Sequence, residues 1–91
     1  MNEHIQNQEK IKQLKNKMCG RKFKHFKGEI YKVSNIAMHS ETAEPMVIYA
    51  SNDQPELIWC RPLTMFLSEV DHKKYPNVTQ KMRFEIIDEE D

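Results

Sequence analysis

The chain has 91 residues, 38% of them hydrophobic and 31% charged, with 14 Lys or Arg against 14 Asp or Glu. A chain this short makes one domain with a thin core, hiding only about 60–65% of the surface it exposes when unfolded. No apolar run approaches the ~20 residues of a membrane span, and Met1–Lys10 is polar throughout, so neither a membrane protein nor a signal peptide is expected and the cytoplasm is the expected location.

Residues 2–18 lack Gly and Pro and read as a helix, with Ile5, Ile11, Leu14 and Met18 as a sparse apolar stripe. So thin a stripe leaves an isolated helix marginal in water, so this one docks on the domain or a partner, or frays. Gly20 is the expected stop. From Phe23 the period changes. Phe23–Gly28 is a short strand or turn entry with a tight bend at Gly28. A long strand follows over Glu29–Met38. Tyr31 and Val33 share one parity there and Ile36 and Met38 the other, and a β-bulge at Ser34-Asn35 puts all four on one side. His39–Pro45 is a polar connection. Met46–Ala50 is apolar at both parities, which predicts a strand buried on both faces.

Ser51–Glu56 is a turn of breaker residues, and Leu57–Cys60 is the return strand of that hairpin. Pro62 then opens a short amphipathic helix to Val70, with Leu63, Phe66, Leu67 and Val70 at i, i+3, i+4 and i+7. Asp71–Gln80 is a polar loop. Met82, Phe84 and Ile86 alternate with Arg83 and Glu85 as a final half-buried strand to about Ile87, and Asp88–Asp91 is an acidic tail. The elements predict a mostly β fold: a small, partly closed barrel over residues 23–87 with a short inserted helix, preceded by a basic helical extension over residues 1–22. There is no βαβ alternation, which disfavours a parallel nucleotide-binding sheet.

The two signs of charge are segregated. Residues 1–32 hold nine basic and three acidic side chains, and the other 59 hold five and eleven. One end therefore meets an anionic partner or the other end of the chain, or both faces are simply solvated. Lys15, Lys17, Arg21, Lys22, Lys24 and Lys27, with Phe23, His25, Phe26 and Tyr31 interleaved, make nucleic acid a candidate partner through phosphate contact and base stacking. Against this, the lysines at 10, 12, 15, 17 and 22 do not share one tight helical face. The two cysteines, Cys19 and Cys60, form no CxxC pair, so neither a disulfide framework nor a zinc site is expected, and no cofactor is implied.

His39-Ser40-Glu41-Thr42 holds an imidazole, two hydroxyls and a carboxylate in four residues. That set suits contact with a polar ligand, or proton transfer by His39; equally, it is a turn whose hydroxyls satisfy loop backbone groups. Arg61, between an apolar strand and Pro62, suits bidentate binding of a carboxylate or phosphate, or an internal pair with Glu41 or another carboxylate. Both readings place it near His39–Thr42. Tyr49 and Trp59 are candidate groove walls, although the single Trp of so short a chain is more often core.

His25-Phe26-Lys27-Gly28, Tyr31, Val33, Ala37, His39-Ser40-Glu41-Thr42, Tyr49, Trp59, Arg61-Pro62, Met65-Phe66 and Arg83-Phe84 follow one another in an order that resembles a bacterial family, domain of unknown function 1653. The resemblance runs from about Phe23 to Ile87. It implies a barrel of the SH3-like type and carries no activity with it. Family members commonly have a longer, more apolar segment where this chain has Ala50–Glu56, and residues 1–22 fall outside the match.

With no paired carboxylates, phosphate loop or nucleophile–base pair in view, a non-enzymatic binding module is favoured. Its partner would be a small polar or anionic ligand or a peptide, held by His39, Ser40, Glu41, Thr42, Tyr49, Trp59 and Arg61. The alternatives are a nucleic-acid accessory protein using the basic segment and an enzyme with His39 as acid or base.

Overall fold

A computed structural model describes residues 2–87, with side chains from Glu9 onward. The expected acidic tail lies outside the described residues, and the side chain of the stripe position Ile5 is likewise not described. Helix α1 spans Asn2–Met18, followed by strands β1 (Lys22–His25), β2 (Ile30–Met38), β3 (Pro45–Ser51) and β4 (Ile58–Pro62). A single helical turn, α2 (Leu63–Phe66), and strand β5 (Phe84–Ile86) complete the fold. The strands form one antiparallel sheet in the order β4-β3-β2-β1-β5, so β1 to β4 make a meander and β5 returns to pair with β1. The sheet does not close by hydrogen bonding, because β4 and β5 are its two free edges.

Helix α1 ends where the sequence predicts. Gly20 takes the left-handed conformation at φ +82°, which an L side chain adopts only with strain. Its N–H then donates to the Val33 carbonyl at 2.8 Å, fastening the helix end to β2. Met18 is buried in the core, and Ile11 and Leu14 pack against it. The helix therefore docks on the sheet. The β1–β2 hairpin turns at Gly28, φ +108°, with the Gly28 N–H donating to the His25 carbonyl.

The β2–β3 register shifts between Val33 and Asn35, which is the bulge the parity switch calls for. It turns both Val33 and Ile36 into the core, while Met38, at the strand's end, lies beyond it and is 51% exposed. Three further expectations need correction. Strand β3 is not buried on both faces: Val47 and Tyr49 are buried on the inner side, but Met46, Ile48 and Ala50 are only half-buried. The inserted helix stops at Phe66 rather than Val70: the Met65 carbonyl, which a longer helix would offer to Glu69, is taken instead by the Ser68 N–H at 3.2 Å and the Ser68 hydroxyl at 2.6 Å. Met82 does not join the last strand; it bridges to Glu69.

The core is an aromatic stack. Phe66 is wholly buried and lies parallel to Phe84, with centroids 4.1 Å apart, while Phe23 and Tyr49 meet it edge-on at 5.3 and 5.5 Å. Val33, Ile36, Val47 and Leu63 fill the remainder.

Candidate functional site

The strand pairings decide which side chains share the inner face. Phe23 is buried, so its alternate neighbour His25 and its cross-strand partner Tyr31 also face inward. Tyr49 lies opposite Trp59, and Val47 lies opposite Arg61, so Trp59 and Arg61 occupy the inner side of the edge strand β4. An edge strand has no outer neighbour, so its inward side chains overhang the margin of the core. Trp59 is accordingly 50% exposed, and the expectation that the single Trp is core fails for that reason. Arg61 is half-buried, and its guanidinium carbon sits 5.6 Å from the centre of the Phe84 ring. That contact brings the two free edges of the sheet together without a backbone hydrogen bond.

Two clefts meet at Arg61. One, about 300 Å³, is walled by Tyr31, Tyr49 and Trp59, with Glu29, Ser51 and Gln54 at its polar side. The other, about 320 Å³, runs along His25, Phe26 and Tyr75 and carries Lys27, Lys74 and Arg83 with, among the described residues, one acid, Asp71. Among the described residues no carboxylate lies within ion-pair reach of Arg61. The internal pair with Glu41 is therefore not formed.

Two groups beside Arg61 have displaced titrations. Burial, and after it the positive charge of Arg61, hold the His25 imidazolium below its ordinary pKa of 6.5. The Nδ1 atom of His25 accepts the Lys27 backbone N–H at 3.1 Å, so the neutral ring carries its proton on Nε2. The Tyr31 hydroxyl donates to Glu29 Oε1 at 2.6 Å; burial and then this hydrogen bond push its pKa from 10.0 to about 12. An acid whose folded pKa is raised stabilises the fold until the unfolded chain begins to ionise, so this contribution is lost as pH rises from 10 to about 12. An alkaline absorbance titration should therefore show one of the three tyrosines ionising late, and Tyr31→Phe should remove that phase. A late phase that survives the substitution would contradict the assignment.

His39–Thr42 lies elsewhere. These residues follow β2, whereas Tyr31 stands at its start, about 23 Å away at the ~3.3 Å rise of a strand. All four are exposed, and His39 Nδ1 accepts the backbone N–H groups of Glu41 and Thr42 at 3.1 and 3.3 Å. The imidazole is thus the staple of its own turn, and Thr42 Oγ1 caps the Glu44 N–H in the same way. The structure brings Tyr49, Trp59 and Arg61 together and leaves His39, Ser40, Glu41 and Thr42 apart. Arg61 is separated from them because its side chain points along the inner face toward β5.

The basic residues also divide. Lys15 and Lys17 are exposed on α1. Lys22 and Lys24 point outward from β1, with Lys22 directly opposite Lys32. Arg21 lies in the link between α1 and β1, and only Lys27 lines a cleft at Arg61. The sequence reading does not single out Glu29, Lys74, Tyr75 and Arg83 as ligand contacts, and it names His25 and Phe26 only as rings interleaved with the basic stretch. Period-two alternation was the available signal for His25, since it places that residue on the face of Phe23. Among the described residues no three His, Cys, Asp or Glu side chains gather to hold a metal ion, and no helix is long and apolar enough to cross a membrane.

The model of a family described as a protein of unknown function, DUF1653, matches residues 21–86, which include every strand of the sheet. No curated protein and no solved structure matches the chain.

Proposed function

The chain belongs to the DUF1653 family, and we propose that it is a binding module which holds an anionic ligand at Arg61. One observation carries this reading: Arg61 is half-buried over the Phe84 ring, where two clefts meet, and among the described residues no carboxylate forms an ion pair with it. A guanidinium placed over a ring spends none of its N–H donors on that contact, which leaves them for the two oxygens of a carboxylate or phosphate. Tyr31, Tyr49 and Trp59 supply an amphipathic wall beside it.

The partly closed, SH3-like form of the barrel belongs to the same proposal. It is supported by the return of β5 to β1 and by the Arg61–Phe84 contact between the free edges. Two free cysteines, Cys19 and Cys60, suit a reducing compartment such as the cytoplasm.

The test is an NMR titration of labelled protein with inorganic phosphate. Saturable shifts are expected at His25, Tyr31 and Arg61, with a Kd of about 1 mM, as befits a small ion without further contacts. Arg61→Gln, checked for a dispersed amide spectrum, should lose them. With sulfate, whose charge is constant over this range, affinity should also rise as pH falls below 6.5, because the bound anion favours protonation of His25 against the opposing charges of Arg61, Lys27 and Arg83 and alongside Glu29. Shifts confined to other surfaces, or undiminished in Arg61→Gln, would remove the proposal's basis.

A further inference from the structure

The groove through Arg61 is longer than a single small anion requires. From Tyr49 the rings of Tyr31, His25, Phe26 and Tyr75 follow one another with centroids 5.3, 6.4, 4.5 and 5.1 Å apart. Trp59 stands at the other end, opposite Tyr49 and half in solvent. Cations are set along the same path. Lys27 Nζ lies 5.9 Å from the Phe26 ring centre and 5.6 Å from that of Tyr75, and Lys74 Nζ lies 5.6 Å from Tyr75. Among the described residues the groove carries two acids, each hydrogen-bonded within the protein: Asp71 Oδ1 accepts the backbone N–H groups of Lys73 and Lys74, and Glu29 Oε1 accepts the Tyr31 hydroxyl.

From this run of rings, with cations at Arg61 and at the Phe26–Tyr75 end, we infer that the ligand is single-stranded nucleic acid, with a phosphate at Arg61 and bases along the groove from Trp59 to Tyr75. The inference rests on the binding-module reading above. Every base offers a flat face to stack, and every linkage offers a phosphate, so a groove of rings and cations matches an unpaired strand without reading its sequence. A duplex keeps its bases away from such rings. An acidic peptide would answer the lysines but leave the aromatic wall without a partner. This site is distinct from the basic stretch of α1 and β1, of which it uses only Lys27.

Trp59 is the only tryptophan, so its fluorescence reports on the groove directly. Titration with an eight-residue oligothymidylate should quench it saturably. With Lys27, Arg61, Lys74 and Arg83 each meeting a phosphate, the slope of log affinity against log salt should be about −2 to −3. In anisotropy measurements on the fluorescein-labelled oligomer, Trp59→Ala and Tyr75→Ala should each weaken binding roughly 5- to 150-fold, the worth of one stacked base. Lys27→Ala and Lys74→Ala, at exposed loop positions, should flatten the salt slope by about 0.7 each.

Three results would overturn the inference. One is anisotropy that rises while Trp59 stays unquenched, which places binding on another face. Another is equal competition by octaglutamate, which makes the partner an acidic peptide. The third is no oligomer binding. If phosphate still shifts Arg61 in that third case, only the nucleic-acid inference falls; if phosphate also fails, the binding-module reading falls with it.

Discussion

Replacing Phe66 with alanine is expected to destabilise the fold by about 3–5 kcal/mol, the usual result of emptying a buried phenylalanine site. The side chain is wholly buried, with Phe84 stacked at 4.1 Å and Phe23 and Tyr49 against its edges. A domain of this size has only about 5–10 kcal/mol of net stability, so the variant sits near the limit of folding. In a thermal melt the midpoint should fall by about 12–40 °C. The neighbouring Met65→Ala is the control, because Met65 is 47% exposed and should change stability by no more than about 0.5 kcal/mol. A midpoint that moves less in Phe66→Ala than in Met65→Ala would mean that the core lies elsewhere.

Phe84 ties that core to the site. One face of its ring stacks on Phe66, while His25 meets it edge-on at 4.8 Å and Arg61 lies over it at 5.6 Å. The same aromatic ring therefore fills the interior and positions the guanidinium. This economy follows from size: a thin core has no separate layer to hold a site, so the site is built on the core's open margin. It also follows that Phe84 variants cannot separate binding from folding, whereas Trp59, Lys27 and Lys74, all exposed, can.

The local features were legible in the sequence because they depend on local chemistry. Gly20 and Gly28 mark turns that need positive φ. The parity switch between Val33 and Ile36 marks the bulge, and Pro62 marks the change from strand to helical turn. The less legible features depend on pairing between distant segments. Alternation shows that Trp59 and Arg61 share a face, but not that β4 is an edge whose side chains overhang the core. That distinction is why Trp59 is exposed and why Arg61 reaches β5 rather than the His39 turn. The polar loop before β5 hid a similar link: the Gln80 side-chain amide donates to the carbonyls of Lys24 and Met82, fastening residues 56 positions apart. Nothing in a polar stretch announces such a partner.

Two single-residue deletions should have opposite outcomes, although they remove facing residues of one sheet. Ser34 is the extra residue of the bulge, since Val33 pairs with Tyr49 and Asn35 with Ile48. Deleting Ser34 leaves Val33 opposite Tyr49 and Ile36 opposite Val47, both still facing inward, and removes only its hydroxyl's bond to the Ile48 carbonyl. The fold should survive with a modest loss, on the order of 1–2 kcal/mol, for that bond and the lost bend. Deleting Ile48 instead makes Val47 and Tyr49 adjacent, and adjacent residues of a strand point to opposite faces. One of these two buried side chains must then leave the core, and the register with β2 and β4 shifts together. Losing a fully buried side chain costs about 1.5–3 kcal/mol in transfer alone, and the cavity and two broken ladders add to it. That total reaches the stability of the whole domain. Amide dispersion should therefore persist in the Ser34 deletion and collapse in the Ile48 deletion. The reverse pattern would show that the extra residue of β2 is itself required, and that the parity argument for the bulge misplaces the inner face.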